Sequence, residues 1–330
     1  MKQILSFILI PILFLSSCSK DEQFDNETDP VEYRKNSAAF SSNYFMMSNT
    51  IDKDLFLGGL WLVDSTKEGG ALEKLRVDIS NFKMKVVHNS DLNTIKFADF
   101  TPNYKNVLAY AKLFKNDIFS ANVNFSYGNF SDYNMIRTFL QNSSDADEIL
   151  ALIAKDKDGE RMVQQKHGYY ENQVLVDLVL GAQYDEFAAF FDKKYVESLT
   201  QAGNVPAYVS SAAYGQHSLI LVESDYAVGE IKNILEKLKA GEQLNNTDKD
   251  LLASSAMVIY LRGGDQESYI KRAEGLKDIE AAWELFREKS DKKNKSYEFP
   301  IWYRLTSLEN FRLMTYKMKF DYFEKKYSVK

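Results

Sequence analysis

The sequence contains a single cysteine, Cys18, among its 330 residues. No disulfide can therefore form within the chain, and folding after export cannot depend on one. Proline is also scarce, with five in the whole chain, which favours long uninterrupted helices and strands. The three histidines, His88, His167 and His217, are far apart and none has the spacing of a metal-ligand motif. We therefore expect neither a metal nor another cofactor.

Sequence signatures of enzymes are missing as well. There is no Gly-x-Ser-x-Gly elbow and no phosphate-binding loop. The acidic run at 156–160 fails as a calcium loop, because the first ligand position would be Ala154 and the closing one Gln165, so we interpret Lys155–Glu160 as a charged turn. A glycosidase is recognised by the distance between two carboxylates, which is a property of the three-dimensional structure, and nothing in the sequence indicates such a pair. We expect a protein that is not an enzyme.

Positive charge and long hydrophobic runs are also limited. The net charge of −6 and the pI near 5.4 argue against nucleic acid as a partner. The longest apolar stretch, Ile4–Leu15, follows Lys2 and is shorter than the roughly 20 residues that span a bilayer as a helix. This pattern predicts a signal peptide over residues 1–17. The segment Leu15-Ser-Ser-Cys18 resembles a lipobox, which implies a lipid on Cys18; the alternative is an ordinary signal peptide with a chance cysteine.

The residues after Cys18 indicate where the protein is delivered. Ser19-Lys-Asp-Glu22 resembles the surface-export signal of some Gram-negative lipoproteins, although a plain acidic tether is the alternative. Residues 18–36 have few apolar side chains to bury, so we predict a flexible lipidated tether. The expected localisation is an exported lipoprotein of the outer membrane, exposed at the cell surface or released from it.

The remaining chain is rich in apolar residues, with 45% hydrophobic and 14% aromatic residues. Helical spacing predicts helices over Phe187–Leu199 and Glu230–Leu238. Apolar runs predict strands over Leu55–Val63, Tyr208–Val222 and Met257–Leu261, and two more within Ile301–Phe323. The strand over Tyr208–Val222 is expected to be interrupted at Gly215. Strands and helices in this irregular order predict an α+β fold with an antiparallel or mixed sheet.

Several segments resemble the cholesterol-dependent cytolysins, in the same order along the chain. The most specific matches are Pro206-Ala-Tyr-Val-Ser-Ser-Ala-Ala-Tyr-Gly215, Ile220–Ser224 and Val258-Ile-Tyr-Leu-Arg-Gly-Gly-Asp265, and the first of them places Tyr208, Ser210, Ser211, Tyr214 and Gly215 at family positions. Leu57–Asp64, Phe299–Tyr303 and Phe320–Tyr322 match more loosely. The chain is identified as a member of this thiol-activated cytolysin and perforin-like superfamily. The resemblance implies an elongated fold whose central twisted antiparallel sheet is flanked by helical clusters.

Two departures from the family pattern refine this identification. The family's C-terminal β-sandwich, which recognises the membrane, has no counterpart before Lys330, so residues 37–330 resemble the pore-forming core of a short form that works with a longer partner. Six residues before the glycine pair the family has an aromatic residue that fixes strand register, and here that residue is Met257. Tyr214-Gly-Gln-His217 also resembles a perforin signature, but the glycine pair that should follow it is missing.

The resemblance implies a pore-forming component that self-associates edge to edge and also interacts with a membrane. Gly263 and Gly264 are the implied sheet-bending hinge, since glycine permits sharp bends; the alternative for the pair is a plain turn. Valine at both positions should leave a folded protein that assembles without completing a pore. The implied membrane hairpins are residues 142–168 and 228–255, with these candidate membrane-facing residues: Ile149, Ala151, Ile153, Ile231, Ile234, Leu235 and Leu238. The alternative function is a surface lipoprotein that binds or regulates a cytolysin-like partner without forming pores.

Overall fold

The computed structural model describes residues 32–326, except 48–54, 65–70, 78, 80, 89–96, 115–121, 201–203, 265 and 292–296. The strands are β1 (Tyr33–Ser42), β2 (Phe45–Met46), β3 (Leu60–Asp64), β4 (Ala71–Lys74), β5 (Met84–His88), β6 (Phe97–Phe100), β7 (Asn122–Phe130), β8 (His167–Ala182), β9 (Asn204–Ser224), β10 (Ala256–Gly263), β11 (Gln266–Glu274), β12 (Pro300–Ser307) and β13 (Tyr316–Lys325). The helices are α1 (Tyr104–Lys112), α2 (Arg137–Leu140), α3 (Ser144–Ala151), α4 (Tyr184–Phe190), α5 (Lys193–Leu199), α6 (Val228–Ala240), α7 (Asn246–Ala253) and α8 (Gly275–Ser290), with a 3₁₀ turn at Tyr133–Ile136.

A large antiparallel sheet is built around the two longest strands, β8 and β9. At one end of these strands the order is β11–β10–β9–β8–β7. At the other end β9 pairs with β12 and β3, and β8 pairs with β5. The 21 residues of β9 span about 70 Å at the usual rise of a strand, which agrees with an elongated α+β architecture.

Helices cover both faces of the β11–β7 end of the sheet. The 3₁₀ turn, α2 and α3 lie on one face, where Ile136, Ile149 and Leu150 pack against Leu219 and Tyr260. We call residues 131–166 the first helical cluster. On the opposite face α6, α7 and α8 pack through their apolar sides, and we call residues 225–255, which contain α6 and α7, the second helical cluster. The predicted fold, a central antiparallel sheet flanked by helical clusters, is confirmed.

The first and last strands of the described chain form a separate ribbon. Strand β1 pairs with β13 along its whole length, from Tyr33 opposite Lys325 to Ser42 opposite Tyr316. The end of the ribbon contacts the first helical cluster, because the amide of Phe323 donates to Asp132 at 3.0 Å and that of Lys325 donates to Ser131 at 3.2 Å. Burial raises the pKa of Asp132, although backbone donors oppose this effect.

Several sequence-based boundaries differ from the structure. The predicted tether ends too late, because residues 33–36 belong to β1, where backbone pairing with β13 orders polar residues that have no core to join. The strand predicted from Leu55 begins only at Leu60, because a turn with Gly58 at φ +82 precedes it. Cys18 and residues 1–31 lie outside the described residues.

Two predicted elements near the middle of the chain also need correction. Phe187–Leu199 is not one helix, because Phe191 is extended and Asp192 caps a new helix by accepting from the amide of Tyr195 at 2.8 Å. Strand β9 is not interrupted at Gly215 but continues through it, and the facing strand β8 absorbs the irregularity between Val176 and Leu178.

Candidate functional site

Two glycine-containing motifs that are distant in sequence meet where β9 passes β10. The amide of Gly264 donates to the carbonyl oxygen of Gly215 at 3.0 Å. Gly263 and Gly264 have φ of +99° and +66°, a region that glycine adopts readily and other residues rarely. A Cβ on Gly263 would overlap the Gly215 oxygen and lie 2.9 Å from Cγ2 of Ile301, and a Cβ on Gly215 would overlap the Leu175 oxygen. The backbones therefore approach so closely that both motifs require glycine, and bending of the sheet here remains a prediction.

The other residues of the predicted family strand precede this contact along β9. Tyr208 stacks on Phe187 with ring centroids 3.9 Å apart, and Tyr214 lies in the same core cluster. Burial raises the pKa of Tyr214. Ser210 donates to the carbonyl of Arg304 at 3.4 Å, whereas the buried Ser211 hydroxyl has no hydrogen-bond partner among the described residues. The two tyrosines therefore hold the strand in the core on the side of α4.

Met257 lies on β10 within the core that the second helical cluster covers. It is buried and pairs with Val222 of β9 and Ala273 of β11. The register of β10 is regular here and shifts only between Leu261 and Gly263. Met257 therefore packs between two neighbouring strands, and its role as a register position remains a prediction.

A buried ion pair joins the first helical cluster to β10, immediately before the glycine pair. Arg262 and Asp145 are both fully buried, with Nη1 of the arginine 3.5 Å from the carboxylate. Nε of Arg262 donates to the carbonyl of Pro300 at 3.1 Å, and the Tyr260 hydroxyl donates to Asp145 at 3.1 Å. Sequence reasoning missed this pair, although an arginine directly after an apolar run was a signal that a buried partner exists.

His217 lies opposite Arg262 on β9 and is also buried. Its ring nitrogen Nε2 is 2.7 Å from Oδ1 of Asn172, and the ring meets that of Tyr260 edge to face at 5.4 Å. Burial, and secondarily the charge of Arg262, lowers the pKa of His217 to about 3. The imidazole is therefore neutral and helps to keep this end of the sheet free of additional positive charge.

Glu223, the residue before the last one of β9, is also a buried acidic residue. Its carboxylate accepts from the Tyr133 hydroxyl at 2.5 Å and from the amide of Gln164 at 2.5 Å, so it contacts both the beginning and the end of the first helical cluster. Nη1 of Arg272, from the edge strand β11, lies 3.9 Å from the same carboxylate. Burial, and then the charge of Glu223, raises the pKa of Tyr133 well above its usual value.

The second helical cluster is held on the sheet by an apolar face and by lysines. The predicted positions Ile231, Ile234, Leu235 and Leu238 are all buried on α6, as their helical spacing indicated. Two lysines of α6 contact the sheet: Lys239 pairs with buried Glu171 of β8 and lies over the ring of Phe125, and Lys232 lies over the ring of Tyr127. A third lysine, Lys237, binds Asp248 of α7 at 2.8 Å and so joins the two helices.

The candidate residues of the first cluster are divided by the helix. Ile149 and Ile153 are buried, whereas Ala151 is exposed on the other side of α3. A strand would place all three on one face, so these residues share a face only if the helix becomes a strand. The predicted turn follows, where the amide of Gly159 donates to the carbonyl of Asp156 at 3.1 Å.

The outer strands at this end of the sheet are β7 and β11. On β7 three apolar side chains, Val123, Phe125 and Tyr127, are 58%, 46% and 54% exposed. On the other side β11 covers the edge of β10 over most of its length. An exposed apolar edge strand is a template for pairing with another chain.

Neither a group of metal ligands nor a membrane-spanning helix is found among the described residues. Within the ranges that the structure covers, no group of three or more His, Cys, Asp or Glu side chains could hold a metal ion. Among the helices of these ranges, none is sufficiently long and apolar to span a membrane.

Comparison with known proteins identifies the fold. No protein-family model and no curated protein matches the sequence. Solved structures do match: wild-type pneumolysin at 16% identity with a TM-score of 0.64, suilysin of Streptococcus suis at 16% with 0.64, and listeriolysin O at 15% with 0.64. These matches cover 90%, 89% and 89% of this chain and 65%, 66% and 63% of those chains. The chain thus spans less than two thirds of the length of each.

Proposed function

We propose that this chain, which has the fold of the cytolysins, is a pore-forming component that converts its two helical clusters into hairpins of a β-barrel. One observation carries the proposal: each cluster connects two neighbouring strand positions of one sheet. The first lies between β7 and β8, which are paired, and the second lies between β9 and β10, which are also paired. Extension of either cluster would therefore lengthen a hairpin that already exists.

The lengths of the two segments fit this conversion. A membrane-spanning strand needs about 9–11 residues, and both 131–166 and 225–255 exceed two such strands and a turn. A barrel is required because, in lipid, every backbone group must find its hydrogen-bond partner within the protein. The helices of the first cluster are short, with four residues in α2 and eight in α3. Conversion to strands would therefore break few helical hydrogen bonds.

Ring assembly follows from the two edges of the sheet. Departure of β11 would expose the edge of β10, and the open edge of β7 on a neighbouring copy could then pair with it. Such a contact uses two different surfaces, so it repeats around a ring until the ring closes. The exposed side chains of β7 would be covered in the process.

A longer cytolysin-like partner is part of the proposal, on the basis of the resemblance to the short form. In an extended hairpin Ile231 and Leu235 share a face with Lys237 and Lys239, and a lysine facing lipid costs up to about 2–4 kcal/mol at the midplane. Hairpins of this composition would insert more easily beside more apolar hairpins of a partner. Lipidation at Cys18 and display on the outer membrane would hold the component where that partner assembles.

The second candidate function is a surface lipoprotein that binds a cytolysin-like partner and forms no pore. The lysines of α6 favour it, because they stabilise the helical state through Glu171, Asp248 and the rings of β7. A protein that keeps its helices could still pair through the β7 edge and stop the growth of a ring.

A reversible lock on β11, the cover strand that pairs with the edge of β10, distinguishes these functions. Met257 and Ala273 face each other on β10 and β11, and antiparallel partners are close enough for a disulfide. We expect Met257→Cys with Ala273→Cys, oxidised, to abolish dye leakage from vesicles that carry the longer partner, and reduction to restore leakage. A disulfide at Tyr170 and Leu221, between strands that stay paired, serves as control. Full leakage by the oxidised 257–273 variant would contradict departure of β11, and no leakage by wild type with any partner would favour the second function.

A further inference from the structure

The cover strand β11 and the first helical cluster contact the same buried carboxylate. Glu223 is 1% exposed, and its oxygens accept from Tyr133 and from the amide of Gln164, at the two ends of the cluster. The amide of Gln165 adds a longer contact at 3.4 Å. Arg272 of β11 supplies the neighbouring positive charge, and it also binds Glu274 at 2.9 Å. Strand β11 and both ends of the first helical cluster therefore contact one side chain of β9.

Arg272 stays next to Glu223 only while β11 remains in place. Tyrosine and backbone amides donate hydrogen bonds but carry no charge, so Arg272 is the cation that the structure shows against Glu223. A carboxylate that is buried with its cation removed is strongly unfavourable, more so than if both charges had been absent. Movement of the groups that cover the carboxylate would admit water and restore its solvation.

We propose that Glu223 and Arg272 couple departure of the cover strand to release of the first helical cluster. This inference rests on the proposed function, in which both movements occur. When β11 leaves β10, Arg272 leaves with it, and Glu223 stays beneath Tyr133 and Gln164 without this cation. The contacts that held both ends of the first cluster then enclose a buried carboxyl group whose cation is gone, so opening of the edge favours opening of the cluster.

The surroundings give water a route to the carboxylate. A cavity of about 250 Å³ lies against Glu223 and Arg272, lined also by Gln164, Ser255 and Gly275. The buried side-chain oxygen Oε1 of Gln165, which also lines it, has no hydrogen-bond partner among the described residues. Withdrawal of β11 would enlarge this space on the side that faces the ends of both clusters, so solvation of Glu223 and loosening of residues 131–166 would proceed together.

Amide hydrogen exchange on the isolated, full-length monomer tests the coupling without any pore. Arg272→Met should accelerate exchange within residues 133–164 by on the order of tenfold, although no residue of that segment is changed. Lys271→Met is the matched control, because Lys271 is the exposed neighbour on the same strand and its loss removes the same charge. In the Arg272→Met background, Glu223→Gln should restore protection, since it removes the uncompensated charge and leaves an oxygen that can accept from Tyr133.

The outcomes separate the coupling from the pore. Faster exchange confined to β11 in Arg272→Met, or failure of Glu223→Gln to restore protection of residues 133–164, would overturn the coupling even if vesicles leak normally. Conversely, coupled exchange in a protein that never permeabilises vesicles with any partner would leave the coupling intact and refute the pore. A structural role of Arg272 in packing β11 would not be rescued by a change at Glu223.

Discussion

The close approach of Gly263 to Gly215 predicts how strongly a single methyl group destabilises the sheet. In Gly263→Ala the residue keeps φ near +99°, which costs an L-residue about 1–2 kcal/mol. The new Cβ also overlaps the Gly215 oxygen and crowds Ile301, and overpacking of this kind adds about 1–3 kcal/mol. We therefore expect the free energy of unfolding to fall by roughly 2–5 kcal/mol.

Gly159 provides a matched control, because it has φ +83° and no atom within 4 Å of an added Cβ. Gly159→Ala should thus lose only the backbone contribution of about 1–2 kcal/mol. Urea unfolding followed by circular dichroism measures both variants, and with a slope of about 1–3 kcal/mol per molar urea the midpoints should differ by roughly 1 M. Equal midpoints for the two variants would refute the argument that the glycines meet for steric reasons.

This geometry also changes the test that the sequence suggested. Valine at both Gly263 and Gly264 adds more atoms than alanine at a position where one Cβ already overlaps a backbone oxygen. We now expect that double variant to unfold or distort the monomer, so its failure to form pores would carry no information about bending.

Three further predictions follow from the buried charges and the anchor. Arg262→Met leaves Asp145 buried without this cation and should lower the unfolding free energy by about 3–5 kcal/mol. Adding Asp145→Leu to this variant should recover most of the loss. Equal urea midpoints for the single and double variants would contradict the prediction. The pKa of His217 is about 3 in the folded protein and near 6.5 in the unfolded chain. Between these pH values the unfolded chain binds more protons, so the free energy of unfolding should fall by a few kcal/mol as the pH decreases through this window. His217→Gln should flatten that part of the stability profile, and an unchanged slope would count against the burial argument. Cys18→Ala should move the protein out of the membrane fraction, and persistent membrane association would contradict lipidation.

Local patterns in the sequence determined much of the fold. The i, i+3, i+4, i+7 spacing on α6 predicted its buried face, because only the helical period places Ile231, Ile234, Leu235 and Leu238 on one side. The continuous apolar run Met257–Leu261 predicted a strand, and the structure forms β10 there and buries every residue of it. The ordered motifs of 206–224 and 258–265 indicated the cytolysin fold, which the solved structures confirm.

Only the tertiary structure decided which of these elements meet. The spacing of aromatic residues over 187–199 continues across Asp192, so periodicity could not reveal that the side chain caps a new helix there. The need for glycine at both 215 and 263 arises from the approach of two backbones, which no local pattern encodes. Arg262 finds Asp145, and Glu223 finds Tyr133 and Arg272, across 117, 90 and 49 positions of the chain. A charged residue within an apolar run indicates that a buried partner exists. Which residue is the partner depends on distance in space and not on distance in sequence, so only the tertiary structure identifies it.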